Sequence, residues 1–280
     1  MFNVGIVGQG FVGSAIREGL KNFHNVCTFD LNPEISSCKT LEECVRKSEI
    51  IFVCLPTPMR KDGSCDTRIV EKVLMQIDSI RCDDPKIAII KSTVPPGTTS
   101  SINRMCKNID VMFSPEFLTE ANSFEDFKNQ TRIILGGPRP ATSVVKTMFR
   151  KAFPEIPIVK TSSNHAEMVK YFINCFLSTK VIFANQMFDL CEASGIDYDK
   201  VCEYALLDKR IGTSHLAVPG PDGDRGFGGH CFPKDLSAMI AHGKNEQTDV
   251  TFLQSVQRSN DEYRKDRDWE KMKGRAVSED

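Results

Sequence analysis

The chain runs to 280 residues, 40% apolar and 26% charged; this leaves room for two ordinary domains and excludes a mainly disordered or collagen-like polypeptide. Its 36 basic and 37 acidic residues leave a formal charge of −1, so nothing electrostatic favours nucleic acid or an anionic membrane as a partner. No apolar run reaches the roughly 20 residues of a membrane helix, and the opening MFNVGIVGQG lacks the basic start and cleavage site of a signal peptide.

Residues 2–7 are short, apolar and bounded by glycine, which predicts a buried strand. Val12, Ala15, Ile16 and Leu20 then recur at helical spacing. A second strand is expected over 26–30, stopped by Asn32-Pro33, then a short helix over 41–47 and a third strand over 50–55, ended by Pro56-Thr57-Pro58. Residues 67–80 read as helix, 86–91 as strand, 100–107 as helix, and 111–114 and 132–136 as strands. This alternation, with a period of about 25 residues, predicts an α/β fold with a doubly wound parallel sheet and helices on both faces.

From Asn164 to Ala193 there is neither proline nor glycine, and Met168, Phe172 and Phe176 recur every four residues. One helix about 45 Å long is expected over 164–193, of the kind that crosses a domain or joins two subunits. Gly195 ends it. Residues 197–209 look helical, a glycine-rich loop covers 219–229, and a last helical stretch covers 235 to 263. From Asp261 onward the chain carries thirteen charges in twenty residues, which predicts a solvated helix end or frayed terminus.

The eleven cysteines are odd in number, contain no C-x-x-C, and several sit in apolar stretches. Buried free thiols in a reducing, cytoplasmic setting are expected, and no metal site is. Gly8-Gln9-Gly10-Phe11-Val12-Gly13 is a G-x-G-x-x-G loop between a predicted strand and a predicted helix, and Asp30 follows Gly10 by twenty residues at the end of the next strand. In that setting Gly8 permits a tight turn, Gly10 lets backbone approach a pyrophosphate, and Gly13 allows close helix–strand packing. The helix N-terminus offers N–H groups to phosphate. Asp30 suits a ribose diol and repels a 2′-phosphate, which favours NAD over NADP. The plainer reading is a tight turn beside a solvent-facing Asp30. The expected organisation is an NAD-binding, Rossmann-type domain over 1–160, a small all-helical dimerisation and catalytic domain over 161–265 that begins with the long helix, and a charged tail over 266–280.

Residues 226–235 read GFGGHCFPKD. Gly226, Gly228 and Gly229 give backbone access to a ligand, and Pro233 suits a first helical turn. Cys231 is then expected at a helix N-terminus, where the dipole favours thiolate. Asp235 returns one turn later, so that both face one cavity. A buried structural cysteine is the alternative.

Together with the dinucleotide loop, the segments VCLPTP (53–58), KSTVPPGT (91–98), SPEFL (114–118) with Glu120, and GFGGHCFPKD, in this order, resemble the UDP-glucose/GDP-mannose dehydrogenase family. The resemblance implies oxidation of the C6 alcohol of a nucleotide sugar, UDP-glucose foremost, to a carboxylate by two hydride transfers to NAD. The histidine before Cys231 is more like the N-acetylhexosamine-type enzymes. The family resemblance implies Cys231 as nucleophile, Lys170 and Asn174 (one helical turn apart) as stabilisers of an oxyanion, Asp235 and Thr93 as water-activating residues, and Glu116 and Glu120 as acidic groups at the sugar and cofactor end. Phe11, Val12, Pro56, Thr57, Thr93 and Glu120 join the cofactor site with the three glycines and Asp30. Glu116, Phe117, Leu118, Lys170, Asn174, Phe227, Gly228 and Gly229 face the substrate, and Arg210 reaches the substrate of a partner subunit, which implies a homodimer through the long helix. As bare sequence, Lys170 and Asn174 fit a polar surface stripe equally well, Glu120 fits helix capping, and Arg210 is a cation before a glycine turn.

Members of the family usually carry a third domain over the nucleotide, and this chain ends soon after Trp269. Three readings follow: a different grip on the substrate, a unit supplied by another chain, or vestigial activity. A β-hydroxyacid dehydrogenase and a catalytically silent NAD- or nucleotide-sugar-binding dimer are the alternatives in function.

Overall fold

The computed structural model describes residues 1–279. The chain forms two compact units, one of residues 1–57 and 66–170, the other of residues 58–65 and from Tyr171 onward. Among the described residues no helix is long and apolar enough to cross a membrane.

The first unit is built on seven strands: β1 (Asn3–Val7), β2 (Asn25–Phe29), β3 (Ile50–Val53), β4 (Lys86–Ile90), β5 (Ile109–Phe113), β6 (Ile133–Gly136) and β7 (Ile158–Thr161), in the order β2-β1-β3-β4-β5-β6-β7. Its helices are α1 (Phe11–Leu20), α2 (Leu41–Arg46), α3 (Arg68–Ser79), α4 (Thr98–Met105), α5 (Ser123–Lys128) and α6 (Arg139–Ala152). Strand alternation divides the core in two. Val4, Ile6, Ile50, Phe52, Ile87, Ile89 and Met112 pack with α1, α5 and α6. Val7, Ile51, Val53, Ala88, Ile90, Val111 and Phe113 pack with α3 and α4 on the opposite face. The strands are apolar throughout because both faces are covered.

The expected parallel sheet holds from β2 to β5. Beyond it, β6 meets β5 antiparallel through the single pair Phe113–Gly136, and β7 then pairs parallel with β6. Helices α5 and α6 and strand β7 are additions to the sequence reading. Pro138 and Pro140, which look like loop residues, sit at the start of α6, where a missing N–H costs nothing.

Helix α7 (Ser163–Ala193) has the expected length and runs through the boundary between the units at Lys170. Within the first unit its Glu167 accepts the Gly97 and Thr99 N–H groups at the start of α4, at 2.7 and 2.8 Å. Burial raises the pKa of this carboxyl, and those donors oppose the rise.

The second unit adds α8 (Tyr198–Ala205), α9 (Phe232–Asn245) and α10 (Thr251–Tyr263). The single helical stretch expected over 235–263 is thus two helices. Gln247 takes φ +55° and the Thr248 N–H closes on Gly243 O at 2.9 Å, a left-handed stop without the usual glycine. The segment after α10 is folded, although most of its charged side chains stay exposed as expected. Trp269 and Ala276 are buried, and Met59 exchanges backbone hydrogen bonds with Ala276 O and Ser278 N, both 2.8 Å. Several of its charges are used internally, as described below.

Candidate active site

In the first unit β1 has β2 on one side and β3 on the other. The order of the chain reverses at that point, and α/β sheets bind ligands outside the carboxyl ends of such strands. The G-x-G-x-x-G loop lies there. Gly8 has φ +91°, and a Cβ on it would sit 2.2 Å from Cys54 O; one on Gly13 would sit 1.9 Å from Gly8 O. A Cβ on Gly10 would meet nothing within 4 Å, so this glycine keeps a surface open. Gly10 is the N-cap of α1, with no side-chain cap and no acidic residue in the first turn. Asp30 is fixed by two backbone donors, Gln9 N–H to Oδ2 at 2.7 Å and Asn32 N–H to Oδ1 at 2.9 Å. The buried Gln9 Oε1 has no hydrogen-bond partner among the described residues. An open glycine, an uncapped helix start and an anchored carboxylate at the end of β2 fit a dinucleotide.

The neighbouring strand ends are stitched together. Ser92 Oγ accepts from Leu55 N at 2.9 Å and donates to Leu55 O at 2.6 Å; Thr57 Oγ1 donates to Thr93 O at 2.8 Å. Thr57 and Thr93 are buried, whereas Pro56 is exposed. After β5, Lys170 Nζ donates to Glu116 O at 2.8 Å and to Oε1 at 2.9 Å, with the two side chains 4% and 8% exposed. Burial alone would raise the Glu116 pKa, but the Lys170 ammonium holds it below the usual carboxylate range. Leu118 N–H binds the other carboxylate oxygen at 2.7 Å, and Lys170 Nζ lies 5.7 Å from the centre of the Phe117 ring. Lys91, which opens the KSTVPPGT segment without an assigned role, donates to Pro115 O at 3.0 Å, and burial pushes its pKa down to about 8. Lys91, Glu116, Phe117 and Leu118 line a cavity of about 300 Å³. Glu120 is exposed on the following loop.

In the second unit Cys231 is the N-cap of α9, with Pro233 in the first turn. Its Sγ lies 3.4 Å from His230 Nε2. Asp235 N donates to Cys231 O at 2.9 Å, one turn on. The Asp235 side chain is 1% exposed and bridges two donors: Asn174 Nδ2 at 2.6 Å and Lys234 Nζ at 2.5 Å. Burial opposes the Lys234 charge, but Asp235, Cys65 and Cys231 together raise its pKa. Lys234 stood inside the quoted motif without a role; the ion pair supplies one.

The loop leading to Cys231 is clamped from two helices, again by residues the sequence reading missed. Asn185 of α7 takes the Gly226 N–H on Oδ1 at 3.2 Å. Asn260 of α10 makes two hydrogen bonds to Phe227, accepting its N–H at 2.7 Å and donating to its carbonyl at 3.0 Å. Gly229 N–H reaches Asp268 at 3.0 Å. Arg264 is buried against the loop and pairs with Asp222 at 2.6 Å and Asp268 at 3.5 Å. A Cβ on Gly228 would come within 2.3 Å of its guanidinium, so Gly228 makes room for the Arg264–Asp268 pair. Buried asparagines on helices were the available signal, yet in sequence they look like surface residues.

Arg210 is not drawn into either cluster. Its side chain is 89% exposed and paired with Asp208. Phe172, Phe176, Phe183 and Leu190 also stand exposed along α7.

Residues 34–153 match the NAD binding domain of the UDP-glucose/GDP-mannose dehydrogenase family, and residues 164–262 match its central domain. UDP-glucose 6-dehydrogenase TuaD of Bacillus subtilis is 31% identical over 84% of this chain and 51% of its own length; UDP-glucose 6-dehydrogenase of Rickettsia bellii is 35% identical over 79% and 51%. The chain therefore spans about half the length of these curated relatives. A solved UDP-glucose dehydrogenase from the archaeon Pyrobaculum islandicum superposes with a TM-score of 0.86 at 30% identity, covering 94% of this chain and 68% of that one. The chain belongs to the UDP-glucose/GDP-mannose dehydrogenase family.

Proposed function

We propose that this chain carries out NAD-dependent oxidation of the C6 alcohol of a nucleotide sugar to a carboxylate, with UDP-glucose as substrate and UDP-glucuronate as product. The observation that supports this most is the buried Asn174–Asp235–Lys234 cluster one turn into the helix that begins at Cys231. A structural cysteine has no use for an amide and an ammonium held on one carboxylate beside it.

Bound NAD⁺ supplies a two-electron acceptor for each of two oxidations. The residues assigned to hold it are Gly8, Gly10, Phe11, Val12, Gly13, Asp30, Pro56, Thr57, Thr93 and Glu120. The alcohol first gives up a proton and a hydride and becomes an aldehyde. Cys231 sulfur then bonds to C6, and the carbonyl oxygen takes a proton, forming a thiohemiacetal. Loss of a second hydride and of that proton gives a thioester. Water adds to the thioester, the C–S bond breaks, and the carboxylate leaves with the thiol restored.

Lys170 and Asn174 are the donors to the oxygen as it gains charge. Each has a carboxylate behind it, Glu116 and Asp235 respectively, which sets the donor's direction. Asp235 and Thr93 orient the attacking water, and Glu116 or Glu120 takes its proton. Glu116, kept ionised by Lys170, suits that task. Phe117, Leu118 and Phe227 to Gly229 are assigned to the sugar. The exposed stripe of α7 supports a homodimer, in which Arg210 reaches the substrate of the other copy. Eleven free cysteines fit a cytoplasmic setting.

The test is covalent trapping. The chain is incubated with NAD⁺ and a panel of UDP- and GDP-sugars, quenched in acid and mapped by peptide mass. The proposal expects one sugar of the panel to leave a uronyl adduct on the Cys231 peptide. Turnover with no adduct there, or with equal rate in Cys231→Ser, would point to a single alcohol oxidation and overturn it.

A further inference from the structure

Cys27, Cys38 and Cys44 come from three different segments: strand β2, the loop after it, and helix α2. Their spacing in the chain resembles no knuckle, yet the fold gathers all three sulfurs within 4.8 Å of one another. Cys27 Sγ lies 3.8 Å from Cys44 Sγ and 3.4 Å from Ser48 Oγ. Cys38 and Cys44 are buried, and Cys27 is half-buried. The strand neighbour of Cys27 is Gly5, where a Cβ would come 2.5 Å from Ser48 Oγ and 3.1 Å from Cys44 Sγ. The sheet thus leaves room for the cluster by omitting a side chain.

The local backbone is secured by oxygen and nitrogen groups, with Cys27 Sγ adding only a long contact to Cys44 O at 3.9 Å. Thr40 Oγ1 caps α2 by accepting the Glu43 N–H at 3.1 Å, and Ser48 Oγ donates to Cys44 O at 2.6 Å. The sulfurs are therefore not needed to complete the hydrogen bonding of the segment. A tetrahedral ion with metal–sulfur bonds of about 2.3 Å holds its ligand sulfurs about 3.8 Å apart, which is the separation of Cys27 and Cys44. Three sulfur ligands select soft or borderline ions over Mg²⁺ and Ca²⁺.

We propose that Cys27, Cys38 and Cys44 form a binding site for one thiophilic metal ion, Zn²⁺ being the test ion, with solvent in the fourth position. The site is separate from the dehydrogenase chemistry and uses none of its residues. Occupancy would tie β2 to α2 just before the turn that carries Asp30. Binding deprotonates the thiols, so protons are released and no electrons move.

The experiment uses the full chain, purified under reductant, stripped with chelator and titrated with Zn²⁺ against a chromophoric chelator. One equivalent is expected, held on the order of 100-fold more tightly than in Cys38→Ser, while Cys106→Ser keeps it. Cys38 lies on a loop, so its replacement spares sheet and helix. A second readout needs no variant: alkylation of the wild-type chain with and without Zn²⁺, mapped by peptide mass, should show protection at Cys27, Cys38 and Cys44. No tight equivalent, equal affinity in Cys38→Ser, or protection confined to Cys231 would each overturn the proposal.

Discussion

Asn260→Ala tests whether the loop leading to Cys231 is held by α10. Asn260 is 2% exposed and makes two hydrogen bonds to Phe227, at 2.7 and 3.0 Å. Truncation leaves a buried N–H and a buried carbonyl without partners, at about 1–3 kcal/mol each. Water entering the vacated space recovers part of this, so the net loss is roughly 2–5 kcal/mol. For a chain of this size that lowers the melting temperature by roughly 5–15 °C. Asn260→Asp keeps the acceptor for the Phe227 N–H but turns an oxygen toward the Phe227 carbonyl, so it loses one bond and gains a repulsion. Thermal melts of the three chains, run beside NADH production, give both readouts. Lower stability and lower turnover together are expected, since Cys231 follows Phe227 by four residues. An Asn260→Ala chain that melts with the wild type would refute the clamp.

Asp30→Ala removes a charged acceptor, worth about 1.5–3 kcal/mol; calorimetric titration should show NAD⁺ binding weakened about tenfold or more, with less discrimination against NADP⁺, and an unchanged affinity would reject Asp30 as the ribose ligand. Lys91 has a folded pKa of about 8, depressed from 10.5 by burial. The unfolded chain therefore holds the extra proton between those values, and stability rises with pH across that window. Relative to Lys91→Met, the wild-type urea midpoint should climb from pH 8 to pH 10; a constant difference contradicts the burial of that ammonium. Phe176→Asp with Phe183→Asp places charges on the exposed stripe of α7 and should yield monomers by sedimentation, whereas an unchanged dimer would place the interface elsewhere.

Much of the first unit was legible in the sequence, because a buried parallel strand announces itself as an apolar run and a glycine loop as a fixed spacing. What escaped notice depended on distant partners. Strand β7, with Val159 exposed and Lys160 in its middle, has little apolar character of its own. The break between α9 and α10 uses Gln247 where glycine is customary. The charged segment after α10 reads as a tail because the Asp222 that neutralises Arg264 lies 42 residues earlier. Asn185 and Asn260 look like helix-surface residues until the loop they hold is folded against them. In the site, the pairing of Lys170 with Glu116 and of Asn174 with Asp235 could not be read from spacing, since each joins segments more than fifty residues apart.

The proposed reaction is a four-electron oxidation that passes through a bond to Cys231. Its most direct test is the amount of NADH formed per nucleotide sugar consumed, measured with limiting sugar and excess NAD⁺. Two NADH per sugar, falling sharply in rate for Cys231→Ala, is the predicted result. One NADH per sugar, with Cys231→Ala as active as the wild type, would contradict it.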